Sequence, residues 1–321
     1  MLRPVSVSVV VASHARPLRL RWLLSSLAGQ TCSEPWEAVV VHDYGSATAE
    51  RVIARHPLSA AGRLRAIAIG PGTGSPARQR NLGWRAASGG LIAFTDDDCR
   101  PEADWLARLV AAAHAAPGTV VQGATRPDPF EWEVTRAPHV RTLHVDPVGP
   151  YAQTCNILYP RELLEHLAGF DERAVAGEDV DLSLRARAAG AEVVPAADAV
   201  VNHAVESHTL PGILRENWKW RYLAYLVSNH PEFRSELTLG VFWDPDHLWV
   251  SAAFLGLLGS RAHRPLVALA APYALRASRR RGPGRRARLV ALAEVPGQAV
   301  RQLAEVLGLA AGSVRYGTLL L

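Results

Sequence analysis

Apolar and polar positions along the first two hundred residues switch repeatedly between a period of two and a period near 3.6. Residues 5–12 form a compact β-branched run that reads as a buried strand. Residues 17–28 follow with Leu20, Leu23, Leu24 and Leu27 at helical spacing and arginines between them. Residues 36–42 read as a second strand, 47–55 as a second helix and 64–69 as a third strand, which the turn formers Gly70-Pro-Gly-Thr-Gly74 close. Ser75 is placed to cap a helix with Pro76 at its first position, running to about Ala87, and Gly89-Gly90 breaks it. Residues 91–95 make the fourth strand. This alternation predicts an α/β fold, a mostly parallel and doubly wound sheet with right-handed crossovers.

From residue 127 to 150 the pattern lapses into a stretch containing Pro, His and Trp, the kind of long connection that forms a functional loop or lid. Helical spacing returns at 161–167 and again after Gly177-Glu178-Asp179, with short strands near 192–194 and 199–203. Beyond Pro211 the character changes. A helix carrying Trp218, Trp220, Tyr222 and Tyr225 leads to apolar blocks at 248–258 and 266–275, then to an arginine-rich run at 276–288. Neither apolar block approaches the ~20 residues of a spanning helix. The combination fits a segment lying on an anionic membrane surface, or else a helical subdomain with a solvated basic loop. The expected organisation is a domain over 1–210, with halves meeting near 125/126, and a helical C-terminal region over 211–321.

Composition narrows this picture in two places. The chain of 321 residues has a formal charge of +5, but a single lysine, Lys219, so its positive charge is arginine. No zinc-finger spacing, aromatic RNA-binding strand or helix-turn-helix accompanies it, which argues against a nucleic-acid partner. Cys32, Cys99 and Cys155 are odd in number and far apart; they predict no disulfide framework and fit a reducing cytoplasm. The N-terminal apolar stretch is too short and serine-interrupted for a signal peptide.

The densest chemistry lies in Ile92-Ala-Phe-Thr-Asp96-Asp97-Asp98-Cys-Arg-Pro. Three carboxylates at the end of an apolar strand need solvent, cations or hydrogen bonds. They either form an exposed turn in which Asp98 caps a helix starting near Pro101, or a divalent-metal site at the carboxyl edge of the sheet, where open α/β folds bind ligands. Carboxylate oxygens suit Mg²⁺ or Mn²⁺, ions that accompany diphosphates.

The motif order decides between these. Val-Ser-Val-Val-Val-Ala-Ser-His-Ala-Arg-Pro17, Val39-Val-Val-His-Asp43-Tyr-Gly-Ser46, Ala77-Arg-Gln-Arg80-Asn81-Leu-Gly83, Thr95-Asp-Asp-Asp98, and Gly169-Phe-Asp-Glu followed by Gly177-Glu178-Asp179 together resemble family-2 glycosyltransferases of the GT-A fold over roughly residues 5–205. The resemblance implies an inverting, metal-dependent hexosyltransferase using a UDP-, GDP- or dTDP-sugar. It implies donor contacts from Ser13, Arg16, Asp43, Arg80, Asn81, Asp96 and Asp97. Metal binding falls to Asp96 and Asp98, with His203 as a third ligand, a role for which His208 competes and which a structural strand-end histidine would not fill, and Mn²⁺ or Mg²⁺ as the ion. Asp179 is implied as the base, with Glu178 as the alternative. Trp132, Tyr151 and Asn156 lie in or near the long connection and are placed either to stack on or bond an acceptor sugar or to serve as packing residues. His42 departs from the pattern, standing where an acidic residue is often found. The expected acceptor belongs to a cell-envelope, lipid-linked or secondary-metabolite glycan, with the enzyme cytoplasmic and peripheral on the inner face of the membrane.

Two other readings fit some of these residues. A sugar-nucleotide nucleotidyltransferase would carry a Gly- and Arg-rich phosphate loop after the first strand, where Ser13-His-Ala-Arg-Pro17 stands instead. A non-catalytic, membrane-associated scaffold on the same fold would be expected to have lost Asp98 or Asp179, and both are present.

Overall fold

A computed structural model describes residues 6–149, 151–282 and 284–321. Val5, Pro150 and Pro283, which belong to predicted segments, lie outside the described residues. The chain forms two compact units: one reaches to Arg136 and resumes over Arg141–Glu206, and the other comprises Ala137–Val140 with Ser207–Leu321.

The first unit opens with β1 (Val7–Ser13), α1 (Pro17–Ala28), β2 (Trp36–His42), α2 (Ala47–Ala54), the short α3 (Pro57–Ala60) and β3 (Leu64–Ala68). It continues through α4 (Pro76–Ala86), β4 (Leu91–Asp96), β5 (Cys99–Pro101), α5 (Trp105–Ala115), β6 (Val120–Pro127) and a 3-10 segment (Pro129–Arg136); the two-residue β7 (Val140–Arg141) falls at the division of the chain into units. After β8 (Ile157–Pro160) come α6 (Arg161–His166), α7 (Glu178–Ala188), β9 (Val193–His203) and β10 (Glu206–Ser207). Eight strands form one mixed sheet in the order β3-β2-β1-β4-β8-β6-β9-β5. The pairs β3–β2, β2–β1, β1–β4 and β6–β9 are parallel, while β4–β8, β8–β6 and β9–β5 are antiparallel.

Side chains alternate across the strands, as the pleat requires. Val9 and Val11 face a core with Leu20, Leu23, Leu24 and Leu27 of α1 and Leu106 and Leu109 of α5. Val10, between them, faces Val39, Phe94, Trp84 of α4 and Leu182 of α7. Both faces are therefore covered by helices, as the alternating pattern predicts. Ser75 caps α4 by accepting from the Arg78 N–H.

Two local expectations change. No helix begins at Pro101. Residues 99–101 instead pair antiparallel with β9, placing Cys99 opposite His203, and the next helix starts at Trp105. The two short strands expected near 192–203 are one strand with an irregularity. Gly123 pairs with Ala196 but Ala124 pairs with Val200, so three residues of β9 are skipped.

The second unit is helical: α8 (Leu210–Asn217), a 3-10 turn (Trp218–Tyr222), α9 (Leu223–Asn229), α10 (Pro245–Gly259), a 3-10 turn (Arg264–Ala270), α11 (Ala271–Arg279) and α12 (Arg285–Tyr316). No helix among the described residues is long and apolar enough to cross a membrane. The 32-residue α12 contains Pro296 and was not expected from the sequence pattern. Buried polar groups join its helices: Glu305 accepts from Arg301 Nη1 at 2.6 Å and lies 3.1 Å from His247 Nε2.

Candidate active site

The carboxyl ends of β1, β2 and β4 lie side by side, because Ser13 is in register with His42 and Ala12 with Asp96. That edge gathers the loops after each strand. Ser13 Oγ donates to Asp97 Oδ2 at 2.6 Å, and the His14 N–H donates to the same oxygen at 3.1 Å. Tyr44 closes over Ser13 through a hydroxyl–hydroxyl contact and stacks on buried His42, ring centroids 4.9 Å apart. Burial lowers the proton affinity of His42, and Glu50 and Asp43 oppose it. Asp43 is buried beneath, paired with His14 Nδ1 at 2.7 Å and accepting from the Gly74 N–H at 3.3 Å.

Asp98 is also buried, and its two oxygens face different partners. Arg16 contacts Oδ2, while His203 Nε2 lies 3.7 Å from Oδ1. His203 Nδ1 sits 2.9 Å from the Ala204 carbonyl oxygen. A carbonyl only accepts, so Nδ1 donates, and Nε2 faces Asp98 with a lone pair wherever it carries no proton. Two acceptors then face each other across 3.7 Å, and a proton or a cation between them relieves the clash of lone pairs. Two donors each ~2.1 Å from one ion lie ~3–4 Å apart, so the gap fits a divalent ion. Among the described residues, Asp98, Cys99 and His203 bring one potential ligand atom each within 4.8 Å of one another. Burial pushes the Cys99 thiol well up, and it belongs to the apolar core, consistent with packing. Arg16 also approaches Asp97 (3.7 Å) and Glu206 (3.8 Å). Burial disfavours its cation, but Asp98, Asp97, Glu206 and Asp96 outweigh that and raise its proton affinity.

A second arginine links the two carboxylate groups. Arg80, on the buried face of α4, donates from Nη2 to Asp96 Oδ1 at 2.8 Å and from Nη1 to Glu178 Oε1 at 2.7 Å. Its guanidinium also stands 5.8 Å from the Phe170 ring centroid. Gly177, at φ +79°, turns the chain into α7 and delivers Glu178, Asp179 and Asp181 to the positive first turn of that helix. Asp179 Oδ1 accepts from the adjacent Val180 N–H at 2.9 Å. Burial, reinforced by the neighbouring Glu178 charge and opposed by Arg80, pushes its carboxyl up to about 7.

This edge can be compared with known proteins. Residues 8–167 match the family model described as glycosyl transferase family 2. The chain belongs to that family. Glycosyltransferase AglE of Haloferax volcanii is 27% identical over 210 residues, covering 61% of this chain and 66% of that protein. The pre-mycofactocin glycosyltransferase of Mycobacterium tuberculosis is 28% identical, covering 53% of this chain and 38% of that protein. The aligned part thus spans less than two thirds of either relative. Among solved structures, the mannosyltransferase PcManGT of Pyrobaculum calidifontis, in complex with GDP-Man and Mn²⁺, superposes with a TM-score of 0.59 at 20% identity, over 98% of this chain and 88% of that one. TarS 1–349 of S. aureus, in complex with UDP-GlcNAc, superposes at 0.52 and 18% identity, over 98% and 92%. These likenesses establish the fold as that of GT-A glycosyltransferases.

Within this family-2 domain the predicted residues fall into three groups. Ser13, Arg16, Asp43, Asp98 and His203 converge at the sheet edge, and Arg80, Asp96, Glu178 and Asp179 form the second cluster. Three others are engaged in hydrogen bonds within the protein. Asn81 Nδ2 donates to the Phe170 carbonyl and Glu172, and its Oδ1 accepts from Trp84 Nε1 and the Phe170 N–H. Three of these bonds tie α4 to Phe170 and Glu172 beside the turn at Gly169, and the fourth is made within α4 to Trp84. Asn156 is buried; it accepts from Trp105 Nε1 at 2.8 Å and donates to the Ala124 and Ala199 carbonyls at 2.7 and 2.8 Å. It fastens the β6–β9 irregularity. Asp97 turns inward to Ser13 and His14, and burial pushes its carboxyl up to about 7. Asp96 lies with Arg80 rather than in the Asp98–His203 group. Trp132 stands 58% exposed on the 3-10 segment, and Tyr151 is half-buried. Sequence reasoning missed Tyr44, Gln79 (which donates to the Ser13 carbonyl at 3.1 Å) and Glu206. Tyr44 directly follows Asp43, but no spacing marks it as the cover of Ser13.

Proposed function

We propose that this chain transfers a hexose from a UDP-, GDP- or dTDP-sugar to an acceptor hydroxyl, with inversion at the anomeric carbon. The observation that carries the reading is Arg80, whose two nitrogens hold Asp96 on the donor strand and Glu178 beside Asp179 on α7. One guanidinium ties the diphosphate side of a displacement to its base side.

Asp98 and His203 would hold Mn²⁺ or Mg²⁺, with Asp96 near it, and Arg16 and Arg80 are suited to phosphate oxygens. When bound, the ion supplies positive charge to the diphosphate leaving group. Asp43 is suited to a base N–H or a ribose hydroxyl. Glu178 is already occupied by Arg80, so Asp179 takes the base role. Its carboxylate accepts the proton of the acceptor hydroxyl as that oxygen bonds to the anomeric carbon. The bond from that carbon to the diphosphate oxygen breaks, and its electron pair leaves with the nucleoside diphosphate. Attack opposite the leaving group inverts the centre. With a carboxyl near pH 7, turnover rises with pH up to about 7 and levels above it. Trp132 and Tyr151 offer aromatic surfaces for an acceptor sugar. The acceptor class that fits the C-terminal unit is a lipid-linked or other cell-envelope glycan, or a secondary metabolite, with the enzyme peripheral on the inner membrane face.

The test is a nucleotide-sugar panel with and without Mn²⁺ or Mg²⁺, read by thermal stabilisation and donor hydrolysis. One donor stabilises the wild type only with metal, and Asp98→Ala weakens this. Asp179→Asn keeps donor binding but lowers turnover by roughly 10²–10⁴-fold. If no nucleotide binds with either ion, a non-catalytic scaffold replaces the transferase reading.

A further inference from the structure

Between residues 245 and 300 the helical unit keeps many large apolar side chains outside a small core of Val250, Ala253 and Tyr273. In α10 the buried positions are His247, Val250, Ala253 and Gly256, a single stripe that narrows to small residues toward the end of the helix. The bulky positions face outward: Phe254 is 46% exposed and Leu255 64%. Gly256 and Gly259 let the next segment press close, since a Cβ at either position would lie 2.7 Å from a side-chain atom of Leu269 or Leu266. That segment, the 3-10 turn Arg264–Ala270, buries no residue at all and leaves Leu266, Val267 and Leu269 exposed. Small residues at helix contacts with large ones outside is how helices pack in an apolar surround, not in water.

The charges follow the same division. From His247 to Ala293 there is no Asp or Glu, while nine arginines occur. Arg276 and Arg280 pair with Asp246, just outside this span, and Arg281 pairs with Glu294 beyond it. Arg261, Arg264, Arg279, Arg285, Arg286 and Arg288 are exposed, and no ion pair is formed by them among the described residues. Arg285, Arg286 and Arg288 occupy the first turn of α12, where there is no acidic residue. Cations at the positive end of a helix are unfavourable unless anions lie against them.

We infer that α10, the 3-10 turn after it, α11 and the start of α12 form an interfacial docking surface for an anionic lipid bilayer. The apolar side chains enter the acyl boundary, and the unpaired arginines meet headgroup phosphates. A second copy of the chain is the poorer occupant, because it would bring the same acid-free, arginine-rich surface against this one. The surface rests on and deepens the peripheral membrane placement proposed above, but it uses no residue of the sheet edge, so its failure leaves donor chemistry untouched.

The test is co-sedimentation of the full chain with vesicles of 1:1 phosphatidylglycerol and phosphatidylcholine, and with phosphatidylcholine alone. The wild type sediments with the anionic vesicles, and rising salt releases it. Arg285→Gln/Arg286→Gln/Arg288→Gln lowers the partition coefficient roughly a hundredfold. Leu255→Ser/Leu266→Ser lowers it by about tenfold or more. Both variants keep wild-type circular dichroism and donor hydrolysis, and Asp98→Ala sediments like wild type. Absence of sedimentation overturns the inference, as does equal binding to both vesicle types. A lipid-free dimer dissolved by the leucine changes, without vesicle binding, assigns the surface to a second copy instead.

Discussion

Helices α1 and α10 have 12 and 15 residues and are both rich in leucine, yet they use it in opposite ways. In α1, Leu20, Leu23, Leu24 and Leu27 are completely buried against the sheet, while Arg21 faces out. In α10 Leu255, Leu257 and Leu258 face out, and the buried stripe ends in alanine and glycine. Arginine divides the same way. In the sheet unit Arg80 is buried between two carboxylates, and Arg16 lies against Asp97 and Asp98. In the helical unit nine arginines crowd a stretch without a single acid. The first pattern is that of a core assembled in water around a charged site; the second suits an apolar, anionic surround.

The largest effect expected from this contrast is at Arg80. Arg80→Gln leaves Asp96 and Glu178 without their shared partner and costs about 3–5 kcal/mol in urea unfolding. Arg285→Gln, in the helical unit, changes stability by less than about 0.5 kcal/mol. Equal losses at the two positions would break the comparison.

Leucine truncation comes next. Leu24→Ala removes a fully buried side chain and destabilises by about 2–5 kcal/mol. Leu255→Ala stays within about 0.5 kcal/mol when measured without lipid. A large loss at Leu255 would show that α10 packs like α1.

A smaller, pH-dependent effect belongs to Asp179. Its folded carboxyl is raised to about 7 from 3.8, so the folded state holds the proton more tightly than the unfolded chain. That contribution to stability is fully present below about pH 4 and is lost as pH rises through about 7. Thermal melts of Asp179→Asn and wild type therefore agree near pH 4 and separate toward pH 8, with the variant higher. Parallel melting curves across that range would remove burial as the cause.

The layout of the sheet edge was legible because hydrophobic periodicity and turn residues act locally: α1 and β2 occupy the residues their spacing predicts. The chemistry of individual polar residues was less so. Asn81 and Asn156 stand in suggestive places, but whether an amide meets a ligand or a neighbouring carbonyl depends on distant segments, here Phe170 for one and Ala124 and Ala199 for the other. The skipped residues of β9 are likewise fixed by its partner β6, not by its own sequence. Helix α12 escaped notice because its start lies in an arginine run that resembles a loop, and Pro296 interrupts its interior, where proline removes a backbone donor.

The most direct test of the central claim is Mn²⁺ binding followed by electron paramagnetic resonance, with a nucleoside diphosphate present, in wild type, Asp98→Ala and His203→Ala. The account predicts bound Mn²⁺ in the wild type, lost with Asp98→Ala and at least about tenfold weaker with His203→Ala. Mn²⁺ bound equally by all three proteins, or by none, would contradict a metal-assisted donor site between Asp98 and His203.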